Sequence, residues 1–172
     1  MATPRPPGGF ASYTQTCSVA PAMLRDDTMK EPQFLRFLEP AEERALLDAA
    51  PPLTFESGAV VIDIGVPLRA LYVVDEGSVR IERPDGDRFV SLGVLGPGQL
   101  FGEMSFVDGS STSARVVAHA RTRVRMIDMP IVDNLSEVDP TFGARLFRSI
   151  AAMLAERLRI TSTDVMLRKP WL

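Results

Sequence analysis

One segment near the middle of the chain carries residue types that bind anions and sugars: Phe101–Ser113, with the sequence FGEMSFVDGSSTS. It opens with Gly102 and the carboxylate of Glu103, continues with one apolar turn, and ends in the hydroxyl-rich run 110–113. The free N–H groups at the start of a short helix can hold an anion, and a carboxylate can accept hydrogen bonds from a sugar hydroxyl. An ordinary turn with a capped helix explains the same residues, so the flanking chain has to decide between the two interpretations.

The composition predicts one globular domain with a tail. The 172 residues are 45% hydrophobic and 24% charged, as is usual for a soluble domain of ordinary size. Residues 1–30 are rich in Pro, Gly, Ser and Thr, a composition that buries too little surface to order itself. We therefore predict a flexible tail over 1–30 and a single domain over 31–172.

The charge and the rare residues exclude several classes of protein. A net charge of −3 argues against a nucleic-acid partner, because phosphate contacts need a basic surplus. Cys17 is the only cysteine, so no intrachain disulfide is possible and a cytoplasmic location is expected. The chain shows no signal pattern and no apolar run long enough for a membrane span. His119 is the only histidine, which argues against a metal site built from several imidazoles.

Short strands punctuated by glycine follow a helix that begins at Pro40 and ends at Pro51 and Pro52. Each of the first five strands is followed by a glycine-containing turn, and Asp85-Gly86 is a strong hairpin signal. This pattern predicts an antiparallel sandwich or barrel over about 53–129. The predicted strands are Leu53–Glu56, Ala59–Ile64, Arg69–Asp75, Ser78–Glu82, Arg88–Gly93, Arg115–Ala120 and Thr122–Asp128.

The remainder of the chain predicts a long helix over about 140–166. One of its apolar stripes has the 4-3-4-3-4 spacing of a heptad seam and contains Phe147, Leu154, Leu158 and Thr161. A second stripe beside it suits packing on the barrel. The seam favours a homodimer through this helix over a single wide core-facing stripe. Its basic residues are expected to form a solvated face: Arg145, Arg148, Arg157, Arg159, Arg168 and Lys169.

The order of these elements resembles that of the cyclic nucleotide-binding domain family. Three motifs carry the resemblance: Phe55-x-x-Gly58, Leu71-Tyr72-Val73-Val74-x-x-Gly77-x-Val79, and Leu95-Gly96-x-Gly98-x-x-Phe101-Gly102-Glu103. The match runs from about residue 34 to 166. It implies a mainly β, α+β fold: an antiparallel eight-stranded β-roll or jelly-roll barrel with short N-terminal helices and a long C-terminal helix.

The resemblance also implies a ligand site. In the family this segment, which we call the cassette, binds the cyclic phosphate and ribose of cAMP or cGMP. Glu103 matches the ribose-binding glutamate, and the backbone near Ser113 would contact phosphate. Thr161-Ser162 resembles the segment of the bacterial cAMP receptor protein that approaches the base. The implied cassette residues are Phe101, Gly102, Glu103, Met104, Ser105, Thr112, Ser113, Ala114 and Arg115.

The cassette departs from the family at one position. Thr112 stands where the resemblance places a phosphate-binding arginine, and a buried phosphate with only neutral donors should lose about two decades or more in affinity. Arg115 lies three positions later, so in a regular strand it points to the opposite face. Only a bulge would turn Arg115 inward.

These features predict a regulatory module with an atypical cassette that acts through dimerisation or an unidentified protein partner. The alternative is a genuine cAMP- or cGMP-binding regulator. A transcription factor is less favoured, because a winged helix-turn-helix needs roughly 60 further residues after the long helix. We find no hydrolase, metalloprotease or phosphate-loop motif, so the sequence predicts no enzyme.

Overall fold

The computed structural model describes residues 35–168, without the side chains of 163–168. The tail predicted over residues 1–30, Cys17 and the last four residues lie outside this part. The elements are α1 (Pro40–Ala49), β1 (Pro52–Phe55), β2 (Val60–Ile62), β3 (Ala70–Glu76), β4 (Val79–Asp85), β5 (Arg88–Leu95), β6 (Leu100–Phe101), α2 (Glu103–Asp108), β7 (Arg115–Ala118), β8 (Thr122–Asp128), α3 (Met129–Val138) and α4 (Phe142–Arg168).

The strands form two four-stranded sheets whose paired neighbours are antiparallel. Their orders are β1-β8-β3-β6 and β2-β7-β4-β5. The predicted mainly β fold with a long final helix is therefore confirmed. Strand β6 was not predicted as a strand, because its two residues are too short to show an alternation. Of the short N-terminal helices that the resemblance implies, the described part has α1, and residues 35–38 before it form a turn.

A hairpin forms where Asp85-Gly86 predicted one. Its two turn residues are Gly86 and Asp87. Strand β4 continues past the predicted end at Glu82, and Asp85 pairs with Arg88 across a two-residue turn. Gly86 has φ of 59°, a left-handed conformation that glycine adopts without a steric penalty. The resulting β4–β5 hairpin brings β5 to the edge of its sheet.

Two apolar clusters hold the fold together. The first lies between the sheets and includes Tyr72, Phe101 and Val116. The second joins the outside of the barrel to the helices and includes Phe106, Leu146 and Ile150. Since Phe101 and Phe106 flank the start of α2, this short helix is held between the two clusters.

Helix α4 is anchored mainly by its first half. The side chain of Arg145 pairs with Glu42 at the start of α1 and lies 2.5 Å from the carboxylate of Asp139. Hydrogen bonds from Arg145, and then from Thr141, lower the pKa of Asp139 to about 2. Arg148 places its guanidinium 4.0 Å from the centre of the Phe37 ring. The prediction that the arginines of α4 form a solvated face is therefore wrong for Arg145, which is half-buried and paired with two carboxylates, whereas Arg148 is exposed as predicted.

Candidate functional site

The cassette begins with a backbone conformation that requires glycine. Gly102 has φ of 82°, and a Cβ atom at this position would lie 2.6 Å from the carbonyl oxygen of Ala70. Both the left-handed conformation and the lack of space exclude a side chain here. Gly102 thus turns the chain from β6 directly into α2 and places Glu103 at the first position of the helix.

Aromatic contacts fix both sides of α2. Phe101 stacks on Tyr72 with ring centroids 5.0 Å apart, and Phe106 stacks on Phe147 of α4 at 5.8 Å. Phe147, which was predicted to lie in the dimer seam, therefore packs on its own domain. Leu154 is also partly buried against this core, whereas Leu158 is 67% exposed. Only the later part of the predicted seam is thus free of contacts with the barrel.

Glu103 is 9% exposed, and its carboxylate is paired with an arginine of α4. Its Oε1 atom accepts a hydrogen bond of 2.7 Å from Nη1 of Arg157, and Nη2 of Arg157 donates 2.6 Å to the carbonyl oxygen of Leu100. The expected solvated face is wrong for Arg157 as well. One guanidinium therefore joins α4 to the last strand before the cassette and to the cassette itself.

The hydroxyl of Thr112 is fully engaged by backbone atoms. Thr112 is 7% exposed, its Oγ1 donates 2.6 Å to the carbonyl oxygen of Asp63, and it accepts 2.9 Å from the amide of Val66. Two backbone hydrogen bonds, from Thr112 to Val66 and from Gly65 to Thr112, complete the contact. At the position of the expected arginine, Thr112 therefore links the cassette to the β2–β3 loop through these hydrogen bonds, which we call the Thr112 brace.

The remaining cassette residues differ in accessibility. Met104 is 54% exposed, whereas Ser105 is buried and donates from Oγ to the carbonyl oxygen of Gly102. The hydroxyl of Ser113 lies 3.7 Å from the sulfur of Met104, and Ala114 is half-buried beside it. The exposed thioether and the Ser113 hydroxyl therefore share one surface of the cassette.

Arg115 faces away from the inside of the barrel. It pairs with Glu82 across β4 and β7, while its neighbour Val116 packs into the barrel core. The guanidinium lies 4.8 Å from the centre of the Phe89 ring, and its Nε is buried with no hydrogen-bond partner among the described residues. The register of β7 with β4 is regular from Ala118 to Arg115, and the irregularity in the pairing with β2 lies between Val60 and Ile62 on that other strand, so no bulge turns Arg115 toward the cassette.

The inside of the β4–β5 hairpin is open at one position. Gly93 pairs with Ile81, whose side chain packs into the barrel core, so Gly93 faces the same interior. A Cβ atom at Gly93 would meet no atom within 4 Å. The barrel wall therefore has unfilled space beside Ile81, on the side that carries β7 and the end of the cassette.

The predicted base-contact residues lie on the exposed part of α4. Thr161 and Ser162 are exposed, and the hydroxyl of Thr161 donates 2.9 Å to the carbonyl oxygen of Arg157 one turn earlier. Thr161 and Arg157 therefore lie on one face of α4. The sequence reasoning missed Arg157 as the partner of Glu103, although its position one turn before Thr161 was the signal that could have found it.

Other features of the described part do not point to a second centre. Depressions of about 200 Å³ and 410 Å³ lie beside β8, and neither is lined by a cassette residue. No cluster of His, Cys, Asp or Glu among the described side chains suits a metal ion. None of the helices described combines the length and apolar character that crossing a membrane requires.

Comparison with known proteins identifies the family. Residues 52–139 match the family model described as cyclic nucleotide-binding domain. The chain therefore belongs to the cyclic nucleotide-binding domain family, as the sequence motifs indicated.

Three similar proteins show how much of each relative the chain covers. It is 32% identical to Glutaminase 1 of Bradyrhizobium diazoefficiens over 73% of the chain, but over only 20% of that protein. It is 28% identical to the CRP-like cAMP-activated global transcriptional regulator of Mycobacterium tuberculosis, over 81% of the chain and 61% of the regulator. The crystal structure of the Thermus thermophilus catabolite activator protein superposes with a TM-score of 0.67 at 31% identity, covering 78% of this chain and 62% of that one. The chain thus spans less than two thirds of each of these relatives.

Proposed function

We propose that this chain is a regulatory module that binds a cyclic nucleotide in the cassette and reports binding through α4. The observation that carries the proposal is the hydrogen-bonded ion pair between Glu103 and Arg157. It joins the carboxylate that the family resemblance assigns to the ribose to a residue of the final helix. A ligand at Glu103 would therefore act on α4 directly.

The proposed mechanism is a competition for one carboxylate. In this mechanism the ribose hydroxyl donates to Oε1 of Glu103, the oxygen that now accepts from Arg157, and the guanidinium re-forms its contacts elsewhere. The ligand shifts the helix only if it binds more tightly to the arrangement in which this exchange has occurred. The anchored first half of α4, with Arg145 held by Glu42 and Asp139, confines the response to the part that contains Arg157.

The output of the module is proposed to be an interaction through the distal part of α4. Leu158 and Ile160 are exposed there, and a helix with apolar residues left in solvent favours a second copy or another helix as its partner. We propose a homodimer through this surface, and we assign residues 31–172 to the cytoplasmic module. Catalysis is not part of the proposal.

The most direct test is calorimetric titration of the 172-residue protein with cAMP and cGMP. The variant Glu103→Gln removes the charge and keeps the size, and we expect it to weaken nucleotide binding at least tenfold, since hydrogen bonds to charged groups contribute about 1.5–3 kcal/mol. Glu82→Gln is the matched control, because Glu82 is equally buried and is paired with Arg80 on the outside of the barrel. This control should leave the affinity unchanged.

The alternative function is a platform that binds a protein partner without a nucleotide. The engaged hydroxyl of Thr112 favours it, because the cassette lacks its phosphate-binding arginine. No heat from the native protein with either nucleotide, together with binding by Thr112→Arg, would support the platform and contradict ligand sensing. Loss of binding in Glu82→Gln as large as in Glu103→Gln would also contradict the assignment of Glu103.

The dimer is tested separately by sedimentation velocity. Leu158→Asp should convert a dimer to a monomer, since it places a charge in the proposed contact. Val138→Asp is the control, because Val138 is an exposed apolar residue at the end of α3. A monomeric mass of the native protein, or equal dissociation by both variants, would contradict the surface.

A further inference from the structure

A phosphate held by this cassette needs a positive charge that residue 112 does not supply. Among the arginines whose side chains the structure describes, Arg69, Arg83 and Arg88 have no hydrogen bond, ion pair or ring contact within the described part of the chain. Arg69 borders the far end of α2 and Arg88 lies next to the hairpin turn. Arg83 is placed differently: like Arg88 it is exposed on the face of the hairpin that continues the inside of the barrel, but it lies nearer the cassette and has no carboxylate opposite it.

The face of Arg83 follows from its neighbours on β4. Val79 and Ile81 pack into the barrel core. The register irregularity between Ile81 and Glu82 leaves the extra residue in β5, so alternation continues along β4 and places Arg83 on the same face, where its side chain is exposed. The intervening residues Arg80 and Glu82 form an ion pair of 2.7 Å, as side chains two apart on one face do. The contact between Arg115 and Phe89 gives an independent check, because these residues pair with Glu82 and Pro84 on the outer face.

The register places Arg83 beside the end of the cassette. Glu82 is the last residue of β4 that pairs with β7, and its partner is Arg115. Continuing this antiparallel register by one residue sets Arg83 opposite Ala114, next to Ser113, with the strands about 4.8 Å apart. Ser113 and Ala114 are the residues whose backbone the family resemblance assigns to the phosphate. The open space at Gly93 lies on this same inner face.

The charges around Arg83 leave it available to a ligand. Its partner across β5 is the apolar Val90, and Asp85, the next residue on the inner face, lies opposite Arg88. Glu103 is already paired with Arg157. Arg83 is therefore an exposed arginine on the inner face of β4, without a carboxylate partner and two residues along the strand from Ile81 of the barrel core.

We infer that Arg83 supplies the charge that compensates the phosphodiester of a cyclic nucleotide, in place of the arginine absent at position 112. The inference rests on the proposed function, since it concerns the ligand of the same site. It moves the phosphate-binding guanidinium from the cassette to the β4–β5 hairpin. The hairpin then becomes part of the site, and the Thr112 brace remains intact when the ligand binds.

The test compares cAMP, which carries the phosphate, with adenosine, which does not. Arg83→Gln should weaken cAMP binding about ten- to hundredfold, since the lost contact is a charge-assisted hydrogen bond to phosphate. The same variant should leave adenosine binding unchanged. Arg88→Gln removes an equally unpaired guanidinium near the turn and should change the cAMP affinity less than threefold, by about 0.6 kcal/mol at most. Thermal unfolding of each variant shows that it is folded.

A second variant gives the converse result. Thr112→Arg in the Arg83→Gln background should restore cAMP binding, because it returns the guanidinium to the position that the family resemblance assigns to it. Equal cAMP affinities of the native protein and Arg83→Gln would overturn the inference and leave the proposed function standing. Equal losses in Arg83→Gln and Arg88→Gln would overturn it too, as an effect of overall charge. No binding of cAMP or cGMP by the native protein would overturn the inference and the proposed function together.

Discussion

The two ends of the cassette are equally buried but are held by different kinds of partner. Glu103, 9% exposed, is paired with a side chain of α4, whereas Thr112, 7% exposed, is bonded to backbone atoms of residues 63 and 66. The half-exposed side chain of Arg157 can exchange its contact for a ligand, whereas Thr112 is joined to the β2–β3 loop by four hydrogen bonds, two of its hydroxyl and two between backbone groups. The first end is therefore suited to respond, and the second is suited to hold the barrel together.

This difference between the two ends explains how the cassette can be recognisable although it lacks the arginine expected at position 112. Thr112 stands where the family resemblance places a phosphate-binding arginine, and its hydroxyl instead forms a brace between the cassette and the β2–β3 loop. Because the brace and the Glu103–Arg157 pair share no partner, changes at the two ends should be close to additive. The following predictions test that separation.

The largest expected effect on stability is at the start of the cassette. Gly102→Ala forces a left-handed residue and a Cβ atom against the carbonyl oxygen of Ala70, so the free energy of unfolding should fall by about 2–4 kcal/mol. Gly109 has φ of 70° but no atom closer than 3.8 Å to such a Cβ atom, so Gly109→Ala should cost about 1 kcal/mol. Urea unfolding measures both, and equal losses would show that the contact with Ala70 is relieved by a small shift.

The next effect is the loss of the Thr112 brace. Thr112→Val keeps the shape of the side chain but removes both hydrogen bonds of Oγ1, and the free energy of unfolding should fall by about 1–3 kcal/mol. Thr112→Ser keeps the hydroxyl and should cost less. In the same unfolding experiments Glu103→Gln should be the milder change, since Arg157 retains its bond to Leu100. A larger fall in the free energy of unfolding for Glu103→Gln than for Thr112→Val would contradict the view that the Thr112 end holds the barrel together.

The smallest effect concerns the fixed first half of α4 and depends on pH. Asp139 has its pKa lowered from 3.8 to about 2, mainly by the hydrogen bond from Arg145, and the same guanidinium lowers the pKa of Glu42. A carboxyl group with a lowered pKa stabilises the folded state above its unfolded pKa, and this contribution is lost as the pH falls through the folded value. The melting temperature should therefore decline between about pH 4.5 and pH 2. Circular dichroism melts of Asp139→Asn should show a shallower decline, and an identical decline would contradict the role of Asp139.

The sequence predicted the barrel better than it predicted the site. Glycines at positive φ, such as Gly58, Gly65 and Gly77, end the strands, and their spacing along the chain is a local signal. The pairing of Glu103 with Arg157 spans 54 residues, and no local pattern reports such a contact. The partners of Thr112 are backbone atoms 46 and 49 residues away. The sequence therefore showed that the expected arginine is absent, but it did not show which hydrogen bonds Thr112 forms.

The heptad seam of α4 shows another limit of sequence patterns. Its spacing correctly indicated a helix with two apolar faces, but apolar spacing does not identify the surface that each residue contacts. Phe147 packs on Phe106 of the same domain, while Leu158 is exposed. The seam therefore contains both a residue that packs inside the domain, Phe147, and an exposed residue that is available to a partner, Leu158.

The central claim is that occupation of the cassette changes the position of α4 through Glu103 and Arg157. The direct measurement is the spin-label distance between residues 56 and 156 in the variant Glu56→Cys/Glu156→Cys with Cys17→Ser, by pulsed electron paramagnetic resonance with and without cAMP. Both labels replace exposed residues, one at the β1–β2 turn and one on α4. We predict that cAMP shifts the distance distribution, that Arg157→Gln shifts it in the same direction without cAMP, and that Glu103→Gln abolishes the response to cAMP. An unchanged distribution at a cAMP concentration that calorimetry shows to be saturating would contradict the claim.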